Sequence, residues 1–289
     1  MPLALLIDTD PGIDDAVAIA LAVRCPSLSV VAITTVFGNV EVERASRNAR
    51  EVLRQMGVRA PVISGAARPL RRPLRFVRVR HGTEGLGFVH PARPALPEPD
   101  RVAEAITLLS RQYAGLGICC LGPLTNLARA LQLDPSLRHT LGPVYSMGGA
   151  IHTRGTHTRW SEFNWWSDPE AAAAVLRAGL DLRLVTVDVS RQMHIPRAAI
   201  DALRSAARHD ERARFWSDAL HFYADAQHTR EGVEGCILSD PLAIAAAAEP
   251  ALVTWQDTRL TVSTTSDEYR GAVRETADGA RASIATSVR

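Results

Sequence analysis

The chain has no lysine; all 33 of its basic side chains are arginine. With its many alanines, this points to a GC-rich genome more than to a function. It also removes lysine as a partner for a bound phosphate. Cysteine is scarce, with four residues (Cys25, Cys119, Cys120, Cys236) and no metal-ligand spacing among them. Cys119 and Cys120 fall in an apolar run, as free thiols of a reducing cytoplasm would. No charged stretch leads into an apolar one at the start, and no apolar run approaches the ~18 residues of a membrane helix. Neither a signal peptide nor a membrane span is expected, and a cytoplasmic location is. The net charge is only +2, which gives no electrostatic case for a nucleic-acid or membrane partner. No internal repeat or low-complexity linker is visible.

What is there begins at the first strand. Leu3 to Ile7 is a short apolar run, read as a buried strand. It runs into Asp8, Asp10, Asp14 and Asp15, four aspartates within eight residues, broken by Pro11-Gly12. An apolar helix starts near Ile13. In an open α/β sheet, such a strand end borders the ligand crevice. Four carboxylates gathered there repel one another and lose solvation, so they call for a cation or a polyol. Asp8 and Asp10 share a strand face, and Asp14 and Asp15 lie in a first helical turn, where negative charge is favoured. The plainer alternative is a strand, a turn and an acidic N-cap, but capping needs one aspartate, not four.

The stretch Asp8-Thr9-Asp10-Pro11-Gly12-Ile13-Asp14-Asp15-Ala16 resembles the N-terminal signature of the nucleoside hydrolases, the inosine–uridine-preferring ribohydrolase family. Later matches extend the resemblance to about residue 265. The fold it implies is α/β: one domain over residues 1–289 with an open, mostly parallel twisted sheet flanked by helices. A single large core suits a chain of 289 residues. The resemblance also implies a ribonucleoside as substrate, one Ca²⁺ and a homo-oligomer, dimer or tetramer. Relatives continue into a closing helix after the last strands, and the C-terminus here reads as shortened.

In chain order, strands and helices alternate. Leu28 to Val36 is a β-branched strand of the parallel, buried kind, ending at Phe37-Gly38-Asn39, with a helix from Val40 to Met56. Asn39 therefore sits at a strand's carboxyl end, and the matching residue of the family lines the active site. Pro61 to Ser64 is a short strand. Residues 65 to 99 are rich in Pro and Arg and long for a loop, hence functional or mobile. Within them, His81-Gly82-Thr83-Glu84-Gly85-Leu86-Gly87 resembles the family's flexible loop near the substrate's base. A helix over Arg101–Tyr113 and a strand over Leu116–Leu121 follow, then a helix after Gly122-Pro123. The position matching Leu121 supplies a main-chain carbonyl to the metal in the family.

Val144 to Met147 reads as a strand, and Met147 matches a methionine that packs by the sugar. Glu162 and Asn164 match residues that bind ribose hydroxyls; a carboxylate and an amide together offer acceptors and donors. Gly155-Thr156 stands where a relative carries Asn, which leaves the 5′ contact open. A strand is read over Asp181–Val187 with Asp188 at its end, and helices over Pro196–Ala207 and Glu211–His228. His221, Tyr223, Gln227 and His228 lie on the latter at mixed spacing; Tyr223 and His228 are counted among substrate-binding candidates. Asp240, before Pro241, is either an N-cap or, by the resemblance, the last metal carboxylate. Ser239 departs from the pattern, because the base-protonating histidine of tolerant relatives would sit there. Residues 251 to 265 read as a strand pair.

The chemistry implied is cleavage of an N-glycosidic bond through an oxocarbenium-like transition state. Asp10, Asp15, Asp240 and the Leu121 carbonyl would hold the Ca²⁺, with Asp10 also the general base. Asp14 and Asn164 would hold the 2′- and 3′-hydroxyls and Glu162 the 5′ end, with inversion at the anomeric carbon. Without a histidine at 239, leaving-group activation would come from His81, His221 or His228, or the substrate would need less of it. Two other classes stay open: a non-catalytic nucleoside- or Ca²⁺-binding relative, and a haloacid-dehalogenase-like phosphatase. The latter also begins strand-Asp-x-Asp, but it lacks the Pro-Gly-x-Asp-Asp continuation and would want a lysine.

Overall fold

In the computed structural model of the chain, the described residues are 1–76, 80–87, 89, 91, 95–206 and 210–289. The first strand, β1 (Leu3–Thr9), is followed by α1 (Ile13–Arg24), β2 (Leu28–Thr35), α2 (Val42–Met56) and β3 (Val62–Ser64). Then come α3 (Val102–Gln112), β4 (Gly117–Cys120), α4 (Thr125–Leu133), α5 (Leu137–Thr140) and β5 (Val144–Met147). Next are α6 (Phe163–Ser167), α7 (Pro169–Arg177), β6 (Leu182–Val185), α8 (Val187–Ser190), β7 (His194–Pro196) and α9 (Arg197–Ala206). The chain closes with α10 (Glu211–Glu231), β8 (Gly235–Ile237), α11 (Ser239–Ala248), β9 (Val253–Val262), β10 (Val273–Glu275) and β11 (Ala280–Val288).

Nine strands form one sheet in the order β10-β9-β11-β6-β5-β4-β1-β2-β3. The seven from β11 to β3 run parallel, and β9 and β10 add an antiparallel edge. Helices cover both faces, so the sheet is buried on each side. The alternation of β1 shows this directly: Leu5 and Ile7 enter the core beneath α1, α2 and α11, and Leu6 enters the one beneath α3, α4 and α7. β1 lies between β4 and β2. The chain first builds outward through β2 and β3, then crosses back to β4 on the other side. The ends of β1 and β4 therefore flank a topological switch point, where α/β sheets open a crevice.

Three readings differ from the structure. Residues 251 to 265 are not a strand pair. β9 is one strand, and its partners β10 and β11 come from residues 273 to 288. That pairing is set between distant segments, and β11 then joins the main sheet parallel to β6, so no local turn signal announces it. The strand read over 181 to 187 stops at Val185, and Asp188 lies in the short helix α8. There its carboxylate accepts the main-chain N–H of Ile151 and His152, at 3.0 and 2.6 Å, which ties down the loop after β5. The helix expected over 196 to 207 is described as α9, Arg197–Ala206, and residue 207 lies outside the described residues.

Candidate active site

Asp10 follows the end of β1 and is fully buried. Its Oδ2 accepts the main-chain N–H of Asn39 at 2.6 Å, and its Oδ1 has no hydrogen-bond partner among the described residues. Gly38 and Gly122 wall the carboxylate in. A Cβ on either would stand 2.0 Å from Oδ2 or 2.5 Å from Oδ1. Both glycines lie just past the ends of neighbouring strands, β2 and β4.

Asp15 sits in the first turn of α1. Its Oδ2 accepts from the N–H of Gly12 at 2.9 Å and from Asn39 Nδ2 at 3.1 Å, and its Oδ1 accepts from Thr9 Oγ1 at 2.5 Å. It is therefore the capping carboxylate of α1 as well as part of the cluster. Asp14 accepts the Tyr223 hydroxyl at 3.1 Å on Oδ2; its Oδ1 has no hydrogen-bond partner among the described residues and lies 3.8 Å from His81 Nδ1. Asp240, in the first turn of α11, completes the group. Asp14, Asp15 and Asp240 each offer an oxygen within 4.8 Å of the others, so this buried acidic cluster could bind a metal. Asp10 acts on them electrostatically: its charge raises the Asp240 carboxyl, and Asp15 and Asp14 raise its own. Burial is the larger cause for both groups. Burial also lifts Asp15 to about 6, with the Asp14 charge next. Unpartnered, buried oxygens in an all-oxygen donor set fit a hard divalent cation.

The pocket above the cluster is lined by Asp14, Asn39, His81, Leu121, Met147, Glu162, Asn164, Tyr223, Ser239 and Asp240, together with Arg80, Thr156, His157 and Phe163. The Asn164 amide group donates to the Leu121 carbonyl at 2.6 Å and to the Met147 carbonyl at 3.2 Å. Its Oδ1 is what remains to meet a ligand. Glu162 is the N-cap of α6, and its carboxylate accepts the N–H groups of Asn164, Trp165 and Gly149 at 2.7 to 3.1 Å. Burial pushes it up in pKa and these three bonds pull it down. His81 stacks on Tyr223 with ring centroids 5.1 Å apart. Its Nδ1 accepts the Ile13 N–H at 3.1 Å, and burial holds its pKa down to about 4. Gly82 and Gly87, at φ +76° and +66°, shape the turn that delivers it.

The structure does not bring every candidate here. His228 is solvent-facing and paired with Glu234 at 2.9 Å, outside the lining residues. His221 is buried elsewhere, with Ser217 O at 2.7 Å and Asp201 at 2.9 Å. A helix turns about 100° per residue, so both point away from the side of α10 that carries Tyr223. Conversely, Arg80, His157 and Phe163 line the pocket without having been singled out. Arg80 belongs to an arginine-rich stretch with no periodicity to mark it, and His157 to an irregular loop.

An open, mostly parallel sheet with a pocket and buried carboxylates at its switch point is the arrangement of an α/β enzyme. The model of the inosine-uridine preferring nucleoside hydrolase family matches residues 5–289, and the chain belongs to that family, whose members are N-glycosyl hydrolases. Uridine nucleosidase 1 of Arabidopsis thaliana is 35% identical over 261 residues, covering 87% of this chain and 76% of that protein. The non-specific ribonucleoside hydrolase RihC of Salmonella enteritidis is 35% identical over 272 residues, covering 93% and 86%. Among solved structures, a plant nucleoside hydrolase, PpNRh1, superposes with a TM-score of 0.93 at 30% identity, over 100% of this chain and 95% of that one. A purine-preferring ribonucleoside hydrolase from Gardnerella vaginalis gives 0.90 at 27%, over 99% and 93%. The family match leaves the phosphatase and non-catalytic readings without support.

Proposed function

We propose that the chain hydrolyses the N-glycosidic bond of ribonucleosides, releasing ribose and a free base, with Ca²⁺ at the carboxylate cluster. The observation that carries this is the buried Asp10 carboxylate, held between Gly38 and Gly122 with Oδ1 partnerless among the described residues, and acting electrostatically on the cluster of Asp14, Asp15 and Asp240. Asp10, Asp15, Asp240 and the Leu121 carbonyl would hold the ion. When bound, a hard divalent cation favours ionised carboxylates and lowers the pKa of nearby water. Asp10 then accepts the proton of the attacking water. Its Oδ2 is fixed by the Asn39 N–H, which leaves Oδ1 as the oxygen for that proton. Asp14 accepts from the ribose 2′- and 3′-hydroxyls, with Tyr223 holding its other oxygen. Asn164 contributes Oδ1, and Glu162 stands toward the 5′ end. Asn39, His81 and Met147 line the remaining walls. Attack opposite the base inverts the anomeric centre.

The test is a reducing-sugar assay over purine and pyrimidine ribosides, their 2′-deoxy analogues and chelator-treated protein. A site built to bind a hydroxyl rejects substrates lacking it by as much as about 10⁴-fold, so inosine and uridine should far outrun their deoxy forms. Equal rates, or full activity in chelator with no metal in the protein, would remove these roles. Among the described residues, no helix is long and apolar enough to cross a membrane. A dimer or tetramer is proposed on the resemblance and a cytoplasmic location on the free cysteines; light scattering on the purified chain reads the oligomer.

A further inference from the structure

Breaking the glycosidic bond leaves an electron pair on the base, and Ser239 cannot supply a proton for it near neutral pH. Its hydroxyl is occupied at 3.0 Å with Ser190 Oγ. His221 and His228 lie outside the pocket, and the Nδ1 lone pair of His81 is spent on the Ile13 N–H. What the cleft does hold is a guanidinium. Arg80 lines the pocket over the carboxylates and also a second cavity that continues past Ser239. Thr156, Tyr223 and Ser239 wall both as well, so the two cavities adjoin along this cleft with Arg80 between them. With the ribose on Asp14 and Asn164, as proposed above, the leaving group would lie toward Ser239, which walls both cavities.

Arg80 is held for such a role. Its Nη2 donates to the Thr156 carbonyl at 2.8 Å and to Glu231 Oε1 at 2.9 Å, tying the His81 turn to the loop after β5 and to the end of α10. Both bonds use one nitrogen, and no described residue accepts from Nε or Nη1. Among the described residues, the other guanidinium along this cleft, that of Arg191, is turned to Thr153 Oγ1 and the Arg154 carbonyl.

Resting on the hydrolase reading, we propose that Arg80 is a further catalytic residue, stabilising the negative charge that develops on the departing base without giving it a proton. Water bonds to C1′ and passes its proton to Asp10. The C1′–N bond breaks, its electron pair goes to the base, and the base leaves as an anion that later takes a proton from solvent. A fixed donor aimed at developing charge is worth most in a water-excluded site. The favoured leaving groups are bases whose anion places charge on a carbonyl oxygen, as uracil does.

The experiment compares uridine with p-nitrophenyl β-riboside, whose leaving group needs little assistance. Arg80→Gln should lower kcat/KM on uridine by about 10²-fold and on the aryl riboside by less than about threefold. The ratio of the two rates cancels any loss of folded protein. The loss on uridine should be the same at pH 6 and pH 8, because the proposed role transfers no proton from Arg80. Arg80→Lys, which keeps the charge, should recover part of the uridine rate. Equal losses on both substrates, or none on uridine, would overturn the assignment. No turnover of either substrate by the unaltered chain would instead overturn the hydrolase reading and this inference with it.

Discussion

The side-chain amide of Asn164 donates to the main-chain carbonyl of Leu121, 2.6 Å away. A residue read as a sugar ligand and a carbonyl read as a metal ligand are thus in direct contact. Leu121 in turn donates its N–H to Asp8 O at 2.7 Å, so the end of β4 is positioned from both sides.

Asn164→Ala should therefore do two things at once. The Leu121 and Met147 carbonyls lose their donor, and each buried polar group left unsatisfied costs about 1–3 kcal/mol. The melting temperature should fall by several degrees and KM for a riboside should rise. An unchanged melting temperature would show that the amide is not holding those carbonyls.

Gly38→Ala puts a Cβ where Asp10 Oδ2 now lies, 2.0 Å from it. The carboxylate must move, and a misplacement of about 1 Å in a reacting group can cost about 10²-fold in rate. kcat should drop by at least that much, while far-ultraviolet circular dichroism stays unchanged. Near-normal kcat would mean that Asp10 does not have to be where it is.

Stability should depend on pH in an unusual sense when metal is removed. Burial raises Asp8 to about 7, and burial with the Asp14 charge raises Asp15 to about 6. Asp10 and Asp240 are raised well above the ordinary carboxyl value, chiefly by burial. The folded chain keeps protons that the unfolded chain has released above about pH 4, so stability is fullest below that and falls as pH rises toward about 7. His81 and His157, both lowered to about 4 chiefly by burial, act oppositely, but only up to about pH 6.5. In chelator, the melting temperature should fall from pH 5 to 7.5. Added Ca²⁺ should raise it most at the upper end, because the ion binds only the folded, ionised cluster. A melting temperature in chelator that climbs across this range would contradict the burial of these groups.

Ser239→His introduces a titratable donor on the wall of the pocket. It should speed uridine or inosine cleavage by about 10-fold or more below pH 6.5, within the 10²–10⁴-fold scope of general acid catalysis. p-Nitrophenyl riboside should gain nothing. A gain on both substrates alike would point to altered binding rather than to proton transfer.

The sequence by itself determined the parallel α/β class and the carboxylate end of β1. Those features are local: an apolar strand, a Pro-Gly turn and an acidic first helical turn are complete within about fifteen residues, and the strands alternate with helices one after another. The positions at strand ends, Asn39 and Leu121, were legible for the same reason, since a strand's end is visible in its own residues. Only the tertiary structure decided which way side chains turn and which distant segments meet. On α10, the helix rotation alone separates Tyr223, which reaches Asp14, from His221 and His228, which do not reach the pocket. The strand pairing of β9 with β11 closes over a long stretch of chain and has no local signal. Glu162 serves three N–H groups, and the Asn164 amide turns inward to two carbonyls. Arg80 meets Thr156 and Glu231 across 76 and 151 residues of chain. Such contacts depend on loops folding over the sheet edge, and a hydrogen bond between remote residues leaves no period in the sequence of either.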